Sequence, residues 1–97
     1  MPRTSARLAA APVAQSIAAI EASLVSILVA IEGLPVGSGA ARAYGAAIRR
    51  KGMDLMDAGP DAMARAMAHI RNADPARADD RERTVAGIWA GIPGWRT

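Results

Sequence analysis

Few side chains in this chain of 97 residues could carry out catalysis or bind a metal ion. It has no cysteine and a single histidine, His69, in an alanine-rich stretch where a surface position is the usual outcome. Three aspartates, Asp54, Asp57 and Asp61, recur at helical spacing, but a glycine–proline pair interrupts the face they would share. Acids just before a helix ordinarily cap it. We therefore predict that the protein is not an enzyme and that it binds neither a metal ion nor another cofactor.

The cations are the second candidate for chemistry. Eleven arginines and one lysine, against nine acidic residues, give a net charge of +3. The basic residues that could contact phosphates are Arg42, Arg49, Arg50, Lys51, Arg65 and Arg71. Neutralising about four to six phosphates would give salt-sensitive binding to nucleic acid. In the other interpretation, the three consecutive cations before Gly52 simply end a helix, because cations in the last turn followed by glycine are a common helix terminus.

One long apolar helix is expected to organise these residues. Between residues 13 and 34, apolar side chains recur in alternating steps of four and three, which places them on one stripe of an α-helix. This stripe, called here the aliphatic row, consists of Val13, Ile17, Ile20, Leu24, Ile27, Ile31 and Leu34. Val25, Leu28 and Val29 add a second apolar flank, and a helix that is apolar nearly all round must be covered on several sides.

The alanine-rich composition, punctuated by glycine and proline, predicts an all-α fold: a small bundle of three to four helices around the long N-terminal helix. Residues 1–11 are expected to form a flexible or loosely helical arm, and residues 12–97 a single helical domain. The predicted helices cover about 12–33, 39–51 with 52–58 as an optional extension, 60–72 and 75–91.

Polar residues mark the helix starts. Ser38 and Asp74 are the expected N-caps of the second and fourth helices. The first turns of the fourth helix, residues 76–83, are dominated by charged residues and are expected to face solvent, with a favourable pair between Asp79 and Arg83.

The apolar stretch from Leu8 to Ile31 is long enough to span a membrane. However, Glu21 would then lie near the bilayer centre at a cost of about 2.5 kcal/mol or more. The apolar stretch before Pro12 is too short for a signal peptide. We therefore expect a cytoplasmic protein and regard a small membrane-embedded protein as the least favoured alternative.

Large aliphatic residues are unevenly distributed along the chain. After Met1, twelve of the Ile, Leu, Val and Met residues lie in residues 8–36, and only ten lie in the 61 residues that follow. The later helices could wrap the first one to give a monomeric bundle. Alternatively, the aliphatic row pairs with its own copy or with a partner helix. Because the unbroken spacing is stricter than a single-chain core requires, we favour a homo-oligomer, with a dimer as its simplest form.

These observations predict a non-enzymatic, self-associating helical interaction protein that binds a larger protein or assembly. Adaptors, structural subunits of virus or phage particles, and inhibitors share this profile, by analogy alone. The alternative from a different class is a small basic accessory protein that binds nucleic acid through the central cations.

Overall fold

The computed structural model describes residues 13–59, 61–93 and 95, with side chains from Ile17 onward. These residues form four α-helices, one 3-10 turn and no strand, namely α1 (Val13–Glu32), α2 (Gly39–Ala58), α3 (Ala62–Ala73), the turn Pro75–Arg77 and α4 (Ala78–Trp89). The prediction of an all-α fold is therefore confirmed for the part of the chain described. The predicted arm, residues 1–11, the predicted helix starts at 12 and 60, and the side chain of Val13 lie outside the described residues.

The four described helices differ in how closely they pack against one another. A short connection joins α1 to α2, and the two helices pack together as a hairpin. α3 packs against both of them, and α4 packs against α2 and α3. Among the described helices, α1 packs mainly against α2 and α3, and α4 reaches it through the ion pair between Arg81 and Glu32.

The expected caps are found at two helix starts. The Ser38 hydroxyl accepts a hydrogen bond from the amide of Ala41 at 3.1 Å, and the Asp74 carboxylate accepts one from Ala76 at 3.2 Å. Where the sequence predicts one helix over residues 75–91, the 3-10 turn precedes a shorter α4. This helix stops at Trp89, since Ala90 is extended and Gly91 has a φ of 89°.

Gly52 lies in the middle of a helix, so of the two ends that the sequence left open for this helix, at residue 51 or at residue 58, the structure has the later one. α2 continues through it to Ala58 and ends at Gly59, which has a φ of 150°. A Cβ atom on Gly52 would lie 2.5 Å from Nε1 of Trp89. Glycine is needed at this position because the indole ring packs directly on the α2 backbone.

The core centres on Trp89, which is fully buried and donates its indole N–H to the carbonyl of Ile48 at 2.9 Å. Trp95 packs edge-on against it, with 5.0 Å between ring centroids. α1 contributes only Leu24 and Leu28 to the fully buried set, so the central position predicted for α1 is not confirmed. The buried apolar residues are Leu24, Leu28, Ile48, Leu55, Ala62, Met63, Ala66, Met67, Ile70, Ala78, Val85, Trp89, Ile92 and Trp95.

Candidate interaction surface

The aliphatic row faces the bundle but is incompletely covered by it. Leu24 is fully buried. The other described members of the row, Ile17, Ile20, Ile27, Ile31 and Leu34, are only partly buried. Four of these five pack against the core cluster, and Leu34 lies beyond the end of α1. The row therefore serves the core of its own chain and also leaves apolar surface in contact with water.

The opposite side of α1 carries no charge along its middle. The exposed residues between Ile17 and Ile31 are Ala18, Ala19, Ala22, Ser26 and Val29. Val29 is the largest of them and is 54% exposed. The only acid in this stretch, Glu21, is partly buried. We call these five exposed residues the neutral face of α1. A surface helix of a monomer usually turns charged residues to water, and the middle of α1 does not.

An ion pair that the sequence did not suggest fixes the end of α1. Arg81 is only 6% exposed, although the sequence predicts a solvated position. Its Nε and Nη2 atoms donate to the two carboxylate oxygens of Glu32 at 2.8 and 3.1 Å. The hydrogen bonds from Arg81 lower the pKa of Glu32, and the same contact raises the pKa of Arg81. The spacing of Arg81 four and seven residues before Val85 and Ile88 is the signal that could have placed it inward.

Arg49, one of the six cations that could contact phosphates, instead bonds to the backbone of its own chain. Its Nη1 donates to the carbonyls of Ile88 at 2.7 Å and Ala90 at 3.0 Å, which satisfies carbonyl groups at the end of α4. Lys51 follows Arg49 by two residues, or about 200° of helix rotation, and therefore lies on the opposite flank of α2. Arg49 and Lys51 therefore do not share one surface.

Of the remaining five cations that could contact phosphates, one is already in an ion pair with acids of the same chain. Arg71 pairs with Asp79 at 3.0 Å and with Glu82, and these hydrogen bonds raise its pKa. Asp79 therefore pairs with Arg71 of α3, and the predicted pair between Asp79 and Arg83 is not found. Arg83 pairs with Asp80 instead. The other four cations, which form no ion pair with the described acids, are Arg42, Arg50, Lys51 and Arg65.

The single histidine and the acidic residues are the side chains that could take part in catalysis or metal binding. His69 is exposed on α3. Among the described residues, no three His, Asp or Glu side chains come close enough together to hold a metal ion. None of the described helices has the length and apolar character needed to cross a membrane.

No protein family, curated protein or solved structure matches this chain.

Proposed function

We propose that this protein acts by binding rather than by catalysis, and that it self-associates through α1. The observation that carries the proposal is the neutral face of α1, from Ala18 to Val29, which adjoins the partly exposed aliphatic row. Removing an apolar side chain from water contributes about 25 cal/mol for each Å² buried, so a partner that covers this surface gains free energy. The favoured partner is a second copy of the chain.

Nucleic-acid binding has less support from the geometry. Two of the six cations, Arg49 and Arg71, already bond to carbonyls or carboxylates of the same chain. Since the others are divided between flanks of α2 and α3, a nucleic acid could not engage all six at one surface. In the proposed dimer, α3 and α4 remain free to bind a larger protein, as an adaptor, a structural subunit or an inhibitor would.

The mass in solution tests this proposal. We expect light scattering after gel filtration to give twice the 10.0 kDa of one chain at high protein concentration, with dissociation on dilution. Ala22→Glu and Val29→Glu should each weaken the dimer by about a hundredfold or more, because two unpaired carboxylates would be buried at the interface.

A matched control keeps the test specific. Ala68 is exposed in the middle of α3, so Ala68→Glu makes the same chemical change to a helix outside the proposed interface. It should leave the dimer intact. A wild-type chain that stays monomeric, or an equal effect of Ala22→Glu and Ala68→Glu, would refute the proposed function.

A further inference from the structure

The charges of this protein are paired on one side of the bundle and unpaired on another. In the part of the chain that is described, the ion pairs around α4 connect Glu32 with Arg81, Arg71 with Asp79, and Arg83 with Asp80. On α2, by contrast, none of the charged side chains has an opposite charge within 4.0 Å among the described residues: Arg49 donates to carbonyls, Arg42 lies near the start of the helix, and Arg50, Lys51, Asp54 and Asp57 lie close together in its second half. Arg50 and Asp54 stand at i and i+4, where a pair within the helix could form, yet they are not paired.

None of these four residues lies on the side of α2 that packs against α4, where Gly52 contacts Trp89. Arg49 marks the flank of α2 that packs against α4, because it donates to the Ile88 carbonyl. Lys51 and Asp54 are about 200° and 140° of helix rotation from Arg49, which places them toward the flank nearer α1. Arg50 and Asp57 are two turns apart and lie along one outward line of the helix.

The surface area of α1 alone is too small for a stable dimer interface. A helix of 20 residues is about 30 Å long and about 10 Å wide, so α1 alone presents roughly 300 Å². Stable interfaces bury about 800 Å² on each partner. The interface must therefore extend onto a neighbouring helix. Both α2 and α3 pack beside α1, and of these two only α2 carries cations together with acids.

The order of the charges along α2 selects the arrangement of the two copies. The two cations come first and the two acids follow within about one to two turns. Parallel α2 helices would place Arg50 beside the partner's Arg50. A two-fold axis perpendicular to α2 makes the two copies of this helix antiparallel. It places the cations of each copy beside the acids of the other, so that every favourable contact occurs twice.

We propose that the second copy binds in this antiparallel arrangement, with Arg50 and Lys51 of each protomer facing Asp54 and Asp57 of its partner. This inference rests on the proposed self-association and specifies its orientation. The same charges disfavour a polyanion at this surface, because a phosphate near Arg50 would also approach Asp54 and Asp57.

Charge reversal tests the arrangement with three variants. The acidic variant carries Arg50→Glu and Lys51→Glu, the basic variant carries Asp54→Lys and Asp57→Lys, and the swapped variant carries all four changes. Each partial variant places like charges opposite each other in a homodimer, so its dissociation constant should rise by about tenfold or more. The swapped variant restores opposite charges and should dimerise about as tightly as the wild type.

Mixing experiments make the test specific to orientation. The acidic and basic variants should form a heterodimer when mixed, whereas the swapped variant and the wild type should form homodimers only. Sedimentation of differently labelled chains measures both results, and circular dichroism checks that each variant is folded.

The possible failures are distinguishable. A monomeric wild type would refute the self-association itself. A wild-type dimer whose partial variants dimerise equally well, or whose swapped variant fails to dimerise although it folds, would refute only the antiparallel arrangement. Loss of association in the acidic variant and the swapped variant, but not in the basic variant, would indicate a polyanion at this surface and would also overturn the inference.

Discussion

Gly52→Ala should destabilise this protein, although alanine is the better helix former. In an open part of a helix, the change from glycine to alanine contributes about 1 kcal/mol of stability. At Gly52 the new methyl group would lie 2.5 Å from Nε1 and 2.7 Å from Cδ1 of Trp89, far inside normal contact distance. Moving the buried ring costs about 1–3 kcal/mol, and losing its hydrogen bond to Ile48 costs about 1 kcal/mol more. The free energy of unfolding should therefore fall by about 1–3 kcal/mol.

Gly87→Ala is the matched control for this prediction. Gly87 lies inside α4, and a Cβ atom there would have no atom within 4 Å. The control should raise the free energy of unfolding by about 0.5–1 kcal/mol. Urea unfolding followed by circular dichroism, at one fixed protein concentration, compares the variants. If Gly52→Ala were as stable as the wild type while Gly87→Ala behaved as expected, the close packing of Trp89 on α2 would be disproved.

Three further predictions concern contacts in the fold. Arg49→Ala should lower the free energy of unfolding by about 1–2 kcal/mol, because two carbonyl groups at the end of α4 lose their hydrogen-bond donor. Arg42 is exposed and forms no ion pair with the described acids, so Arg42→Ala should change the free energy of unfolding by less than about 0.5 kcal/mol. Equal effects of the two substitutions in urea titrations would contradict the capping role of Arg49. The contact with Arg81 lowers the pKa of Glu32 in the folded protein, so ionised Glu32 stabilises the fold at pH values above the ordinary carboxyl pKa of about 4.3. This stabilisation is lost as the pH falls through the lowered pKa of Glu32 in the folded protein. Wild type and Glu32→Gln should thus differ in urea stability at about pH 7 and converge well below pH 4, and a gap independent of pH would disprove the role of the Arg81 contact. Trp95→Ala should cost about 3 kcal/mol in urea unfolding, and a loss below about 1 kcal/mol would show that the buried contact with Trp89 is unimportant.

Local chemistry accounts for the elements that the sequence predicts. The helix formers and breakers indicate an all-α fold, and Ser38 and Asp74 cap helix starts because their side chains reach amides only a few residues away. The role of Gly52 was not predictable in the same way. Cations followed by glycine are typical of a helix end, and only the position of Trp89, distant in sequence, shows that the glycine makes room for a ring.

The candidate surface is harder to derive, for a related reason. Alternating steps of four and three suit a core and an interface equally well, so the burial of the aliphatic row depends on which helices cover α1. Arg49 and Arg50 are neighbours of the same type, yet one bonds to the end of α4 and the other has no ion pair with the described acids. Arg81 lies among solvated charges in the sequence, and its burial follows from a partner, Glu32, at the far end of α1.

The distance between two copies of α1 tests the central claim most directly. The chain has no cysteine, so Ala22→Cys and Ala68→Cys each provide a single site for a spin label. Pulsed dipolar spectroscopy of the Ala22→Cys protein should give a defined distance between protomers that is shorter than the one from Ala68→Cys, and its signal should vanish on dilution with unlabelled chain. No dipolar coupling at Ala22, or a shorter distance at Ala68, would contradict an interface formed by α1.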